Sequence, residues 1–414
     1  MAKARKDNKG RALRKGESQR KYDLMYMYTY TDPYSKKRKY IYASDLVELR
    51  KKESTLIKNQ LDGLDTYAAG ESDLNFLFDR YISTKKNLRE TTRSNYTYMY
   101  NHYVRQTLGK TKIGDLKYSD IVKFYQHLMH DKKLLPNTID TIHTVIHPAL
   151  DMAVKDNILP RNPSDGALTE IKKSKRKSKQ VRHALTTEQQ KAFLNFIDGH
   201  KVYGHWKPLF VIFIGTGCRV GEIIGLRWED VDMANRVISI NHAVTYYQPG
   251  ERKGKSQYKI SLPKTESGIR SIPMLPEVYE AFCEERTQQK TTGCFNNVMV
   301  DGMSGFVFCN RFGGMLNSQS LNRTIKNILN DYNDDELLNS SKEGRDPILL
   351  PTISCHHFRH TFCSRLCEND VNLKVIQSLM GHADIQTTLD IYTEVSENKK
   401  MNSINEFSKT VNMF

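Results

Sequence analysis

Six side chains in the second half of the chain, Arg219, Lys264, His356, Arg359, His382 and Tyr392, are of the types that handle a phosphoryl group. When a hydroxyl attacks a phosphodiester, the pentacoordinate phosphorane carries extra negative charge on its non-bridging oxygens. Planar guanidinium forks bind such oxygens through paired, charge-assisted hydrogen bonds, and two arginines make a clamp. A tyrosine hydroxyl ordinarily titrates near pH ~10, so as a nucleophile it needs both deprotonation and a cationic field around the phenolate. Histidine donates to a phosphoryl oxygen or moves a proton near neutral pH, and a lysine can protonate a leaving 5′ oxygen. Together these types match the cutting of a phosphodiester by a tyrosine better than they match metal or thiol chemistry.

The local sequence says which elements must position them. The apolar run Leu209 to Ile214 breaks at Gly215 and Gly217 and resumes as the helical pattern Val220, Ile223, Ile224, which presents Arg219 at a helix start. Glu222, three residues on, shares its face and can hold the guanidinium. His356 and Arg359 share one face if Cys355 to Leu366 is a helix, as Phe358, Phe362 and Leu366 predict. A competing reading of that stretch is a metal site made by His356, His360, Cys363 and Cys367. It lacks the Glu of His-Glu-x-x-His and contains an arginine, and both cysteines fall among apolar positions, as small buried hydrophobes do. His382 follows a helical stretch, Leu373 to Met380, that ends at Gly381, and Tyr392 comes ten residues later. With 22 tyrosines in the chain, only the joint pattern singles out Tyr392. Val237 to Ile240, Tyr258 to Leu262 and Ile269 to Ile272 read as strands, with Pro263 to Gly268 as a tight turn that carries Lys264 between the last two.

Gly217-Cys218-Arg219, Lys264 on its hairpin, His356-His357-Phe358-Arg359-His360-Thr361, Leu379-Met380-Gly381-His382 and Ile391-Tyr392-Thr393 resemble, in order, the active-site set of the tyrosine recombinases, or phage-type integrases. The resemblance implies that Arg219 and Arg359 clamp phosphate, that Lys264 is the general acid, that His356 and His382 assist phosphate contact and proton movement, and that Tyr392 is the nucleophile. It further implies a 3′-phosphotyrosyl intermediate, strand exchange through a four-way Holliday junction and a tetramer on two double-stranded DNA sites. An excisionase or a host DNA-bending protein is the expected accessory partner. Because bond energy is kept in the covalent intermediate, no cofactor, ATP or metal is expected. Two other readings stay open: a type IB topoisomerase, which uses similar chemistry without synapsis, and a non-catalytic DNA-binding regulator.

Composition fits a polyanionic partner. The formal net charge is +16 over 414 residues, and residues 1–60 hold 17 Lys and Arg against 7 Asp and Glu. Seven cysteines without paired spacing favour a reducing cytoplasm, which the resemblance implies is bacterial, and neither a signal peptide nor an 18-residue apolar run is present.

The expected fold is multidomain and mainly α. Residues 1–65 read as a small sheet plus helix, with strands over Lys21–Thr31 and Arg38–Ala43 around the turn Asp32-Pro33-Tyr34-Ser35, and the resemblance implies that the sheet is three-stranded. Tyr22, Leu24, Tyr26, Tyr28 and Tyr30 line one side of the first strand. This unit resembles the arm-binding domain of integrases from conjugative transposons; a dimerisation module is the alternative. Residues 66–171 read as a helical bundle, from Leu74, Leu77, Phe78 and Tyr81 and from Ile139, Ile142, Ile146 and Leu150, and are similar to the SAM-like core-binding domain of the family. A basic linker at 172–182 leads to an α+β catalytic domain at 183–394. The tail 395–414 carries Ile404, Phe407, Val411 and Phe414, a stripe that docks either on a neighbouring subunit or on its own domain.

Overall fold

The computed structural model describes residues 5–32, 36–61, 72–169, 184–248, 256–263, 266–393 and 395, the side chains of 58–61 and 266 excepted. Lys264, the basic linker, the turn residues 33–35 and the tail stripe all lie outside the described residues. The chain divides into two compact units, one made essentially of residues 1–179 and one of residues 180–414.

The first unit begins with an antiparallel sheet, β1 (Glu17–Gln19), β2 (Tyr26–Thr31) and β3 (Arg38–Ala43), followed by α1 (Leu46–Leu61). Tyr26 is the buried anchor, packed with Ala43, Leu46 and Leu49. Its hydroxyl donates to Asp7 (3.0 Å) and accepts from Arg11 (2.7 Å), so the polar tip of a buried ring is satisfied. The second strand starts at Tyr26 and not at Lys21. Folding β1 back onto β2 needs a reversal, closed by Arg20 N–H on the Met25 carbonyl (2.9 Å) with Leu24 at φ +56°. Tyr22 and Leu24 are therefore exposed in the turn rather than in the aromatic row.

The helices of this unit are α2 (Leu74–Thr84), α3 (Glu90–Met99), which runs on through a π-turn, α4 (Tyr118–His130) and α5 (Pro136–Lys155). Asp73 caps α2 by accepting from Phe76 N–H (2.8 Å), and Pro136 opens α5, where its missing N–H costs nothing. The i, i+3, i+4 anchors of α2 and α5 are all buried in one apolar cluster. The bundle therefore follows directly from helical periodicity.

In the second unit, α6 (Thr187–Ile197), α7 (Lys207–Thr216) and α8 (Val220–Gly225) precede two small sheets. One sheet has the order β4 (Val231–Asp232), β5 (Val237–Ile240), β8 (Arg270–Pro273); the other pairs β6 (Ala243–Tyr247) with β7 (Gln257–Ser261). The expected hairpin between Tyr258–Leu262 and Ile269–Ile272 is thus corrected: β7 pairs with β6, and β8 pairs with β5. An unpredicted strand, β6, satisfies the ladder of β7, so β7 and β8 belong to different sheets. Four more helices follow among the described residues: α9 (Pro276–Thr292), α10 (Ser318–Glu343), α11 (Cys355–Glu368) and α12 (Leu373–Met380). Residues 386–393 form the last helical stretch.

Helix α7 is the apolar axle, with Leu209, Phe210, Ile212, Phe213 and Ile214 all buried, and Phe210 and Phe213 pack on Phe358 of α11. That packing fixes the end of α7 against the helix that carries Arg359. No helix among the described residues is long and apolar enough to cross a membrane.

Candidate active site

Three arginines meet at one helix end. The last turn of an α-helix leaves carbonyls without intrahelical partners, and its dipole favours cations there. At the end of α12 three successive carbonyls each accept from a different guanidinium. Leu379 takes Nε of Arg270 (2.7 Å), Met380 takes Nη2 of Arg359 (2.6 Å) and Gly381 takes Nη2 of Arg219 (2.8 Å). His382 follows at once, its N–H on the Gln377 carbonyl (3.1 Å).

Each arginine reaches this point for a local reason. Arg219 is the N-cap residue of α8, placed there because Gly217 ends α7 in the left-handed region (φ +61°). A Cβ on Gly217 would lie 2.4 Å from the Phe362 ring, so backbone conformation and packing both require glycine. As expected, Glu222 holds Arg219: its Oε1 accepts from Nη1 (2.8 Å) and its Oε2 from the Arg219 backbone N–H (2.7 Å). The Arg219 side chain remains 44% exposed, which leaves it open to a ligand. Arg359 lies one turn into α11 and is buried, and its Nη1 donates to the Gly217 carbonyl (2.9 Å). Arg270 projects from the inward face of β8, beside buried Ile272, and forks onto both oxygens of Glu222 (3.1 and 2.8 Å).

The electrostatics follow from this crowding. Among the described residues, a single carboxylate, Glu222, is paired with Arg219 and Arg270, while Arg359 meets only backbone carbonyls. Burial works to raise the Glu222 carboxyl, but the hydrogen bond and charge of Arg270 and the N–H of Arg219 outweigh it and hold the group below its ordinary value. Arg359 is pushed down to about 10, first by burial and then by the charge of Arg219. A buried guanidinium among like charges is stabilised by an incoming anion. Burial, then Arg359, Arg219, Arg270 and His356, push His382 down to about 4, so its imidazole is neutral at pH 7. Burial also pushes the Cys218 thiol up to about 11, which makes it a poor nucleophile.

His382 Nδ1 shares a hydrogen bond with Thr388 Oγ1 (2.9 Å), and Thr388 is fully buried one turn before Tyr392 in the last helical stretch. Tyr392 is half-buried against the apolar cluster of Cys363, Cys367, Ile376 and Met380. His356 is exposed at the start of α11, where its charge is felt by His382. The two cysteines of the competing metal reading are buried in that same cluster. Arg219, Arg359 and His382 are thus brought together, with His356 in electrostatic range and Tyr392 tied to His382 through its own helix.

Sequence reasoning missed Arg270 and Thr388. For Arg270 a signal existed: it alternates with Ile269 and Ser271 and lies two residues from Ile272, so an apolar strand face contains one arginine. For Thr388 nothing distinguished it from Thr387.

Comparison with known proteins places this geometry. Three family models match: "DNA binding domain of tn916 integrase" over residues 1–60, "Phage integrase, N-terminal SAM-like domain" over 74–129 and "Phage integrase family" over 183–399. The transposase from transposon Tn1545 of Streptococcus agalactiae is 30% identical, over 99% of this chain and 98% of its own length. The transposase from transposon Tn916 of Enterococcus faecalis is 29% identical over the same shares. A solved structure of the Tn1549 transposon integrase in complex with transposon right end DNA is similar with a TM-score of 0.66 at 28% identity, covering 80% of this chain and 99% of that one. The three family matches and these likenesses show that the chain belongs to the phage integrase family, as a DNA strand-cleaving and rejoining enzyme of the tyrosine recombinase type closely related to the integrases of conjugative transposons.

Proposed function

We propose that this integrase moves a mobile element by integration and excision, with Tyr392 as nucleophile, Arg219 and Arg359 as the phosphate clamp, His382 and His356 as phosphate and proton contacts, and Lys264 as general acid. The observation that carries the reading is the convergence of Arg219, Arg359 and Arg270 on three successive carbonyls, with Glu222 paired to the first and the last of these arginines. Such a centre is preorganised for a dianionic phosphorane, and preorganised charge is the largest usual contribution to catalysis of this kind. His382 is neutral at pH 7 and can accept the tyrosine proton. Tyr392 then forms a 3′-phosphotyrosyl link and frees a 5′ hydroxyl; a partner strand's hydroxyl reverses the step. The Lys264 role rests on its motif and its segment between β7 and β8.

Double-stranded DNA is the substrate, with element ends and target sites as the two kinds of site. The sheet of residues 1–65 offers a face of Tyr40, Tyr42 and Arg20, whose guanidinium lies 4.8 Å over the Tyr42 ring, which suits an arm-type DNA reader. Residues 66–171 act as the core-binding unit, 172–182 as a phosphate-tracking linker and 183–394 as the catalytic domain. The working form is a homo-tetramer on DNA, helped by an excisionase or a DNA-bending protein, in a bacterial cytoplasm. The tail 395–414 docks in cis or in trans. The arm-type match over residues 1–60 favours this reading over a topoisomerase.

Tyr392→Phe keeps the ring packing and removes the nucleophilic oxygen. It should bind DNA within about threefold of the natural protein and form no SDS-stable covalent adduct on a nicked suicide duplex; an adduct with the Phe variant means that another residue attacks.

A further inference from the structure

Arg270 has no place in the clamp, the proton path or the nucleophile, yet it is buried beside them, with a side chain only 3% exposed. All of its directions are used. Nη1 and Nη2 fork onto the two oxygens of Glu222 (3.1 and 2.8 Å), Nε donates to the Leu379 carbonyl (2.7 Å), and Nη1 also approaches the Gly268 carbonyl (3.4 Å). With its fork closed by a carboxylate, where Arg359 meets only backbone carbonyls, Arg270 is a poor candidate to touch a phosphate. We propose that Arg270 is a positioning residue that neutralises Glu222 and locks the end of α12, so that Arg219 and Arg359 present their full charge to the scissile phosphate.

The charge count makes the point. Glu222 is needed because it orients Arg219 through both its side chain and its backbone N–H. On its own, that carboxylate would cancel much of the field that Arg219 offers to a phosphate, since an ion pair presents a dipole where a charge is wanted. With Arg270 paired to the same carboxylate, three guanidiniums face one carboxylate, a surplus of two positive charges that matches the two negative charges of a phosphorane formed from a diester. Without Arg270 the surplus falls to one.

The geometry makes a second point. The carbonyls of Leu379, Met380 and Gly381 are consecutive, so fixing the first with Arg270 sets the register in which the next two receive Arg359 and Arg219. Gly381 closes the same contact: a Cβ there would lie 3.0 Å from Arg270 Nη1. Only arginine has a planar fork that serves a carboxylate with one edge and a carbonyl with Nε. Lysine preserves the charge and loses that second contact.

The inference rests on the clamp reading of Arg219 and Arg359, and the test separates the two. Single-turnover cleavage of a suicide duplex is measured with the full chain at saturating protein, beside DNA affinity, at a temperature where every variant is shown by melting to be folded. Arg270→Met should cleave about 10² times slower, the scale of losing a preorganised charge, with a Kd within about threefold of the natural protein. Arg270→Lys should recover at least about tenfold of that loss. The double variant Glu222→Gln with Arg270→Met restores the surplus of two and should also cleave at least about tenfold faster than Arg270→Met. If Arg270→Met does not fold, Arg270→Lys and the double variant carry the test, each expected between about threefold and tenfold slower than the natural protein, with unchanged Kd. Cleavage by Arg270→Met or by Arg270→Lys within threefold of the natural protein, a double variant no faster than Arg270→Met, or a loss that appears in Kd instead of rate overturns the proposal. Arg219→Ala is run in parallel: if it cleaves normally the clamp reading itself fails, whereas a slow Arg219→Ala beside a normal Arg270→Met removes Arg270 alone.

Discussion

Arg359 and Arg219 differ in surroundings although they are assigned the same task. Arg359 is buried, hydrogen-bonded to the carbonyls of Gly217 and Met380, and pushed down to about 10, whereas Arg219 is half-exposed and paired to Glu222. An anion bound between them relieves the repulsion at Arg359 and competes with Glu222 at Arg219. Arg219→Ala and Arg359→Ala should each lose about 3 to 4 kcal/mol of transition-state stabilisation, roughly 10² to 10³ in single-turnover cleavage. Rates within tenfold of the natural protein for both would remove the clamp.

At the scale of elements, the turn from α12 to His382 is the tightest point. Gly381 is at φ +62°, and a Cβ there would lie 2.9 Å from the Ser267 carbonyl oxygen as well as against Arg270. Gly381→Ala therefore combines a strained left-handed alanine with a backbone clash and should destabilise the catalytic unit by about 1 to 3 kcal/mol, visible as a lowered melting transition and slower cleavage. An unchanged melt would show that the turn can relax.

A second element-scale prediction comes from α9. Glu285 is buried beside a cavity of about 520 Å³, accepts a hydrogen bond from Gln289 Nε2 (2.7 Å) and is pushed up to about 7 by burial. Because its folded value lies above the ordinary 4.5, the folded state binds more protons than the unfolded chain across that interval. Its contribution to stability is thus greatest at low pH and declines as pH rises from 4.5 through about 7, by at most about 3 kcal/mol. Glu285→Gln should melt progressively higher than the natural protein as pH is raised from 5 to 8, and parallel melting curves would contradict this.

For the whole molecule, the surplus of positive charge is concentrated where DNA is expected. Residues 1–60 hold 17 Lys and Arg against 7 Asp and Glu, and 172–182 contain seven basic residues and no acidic one. If about 6 to 10 phosphates are neutralised, affinity for a duplex with both element-end and core sites should fall by about 10³ to 10⁵ between 50 and 200 mM salt. A fall of less than tenfold would mean that most of this charge does not face DNA.

Helical anchors, caps and the order of the six candidate residues were legible because they are local: Leu74 to Tyr81, Leu373 to Met380 and the Arg219–Glu222 pair depend on spacings of three and four along one helix. Strand pairing was not legible, because a ladder has no local record of its partner. β7 could join β8 across a short turn or β6 across a longer one, and the ladder from Ala243–Ser261 to Tyr247–Gln257 decides for β6. The sequence by itself thus determined the family and the main helices, and it pointed to six of the eight residues described at the site: Arg219, Glu222, His356, Arg359, His382 and Tyr392. Only the tertiary structure brought in Arg270 and Thr388, whose partners Glu222 and His382 lie 48 and 6 residues away, one joined by packing a strand onto a helix and the other across the turn before the last helical stretch. It also decided that three guanidiniums share three successive carbonyls, because orphan carbonyls at a helix end accept whichever donors the fold delivers to them.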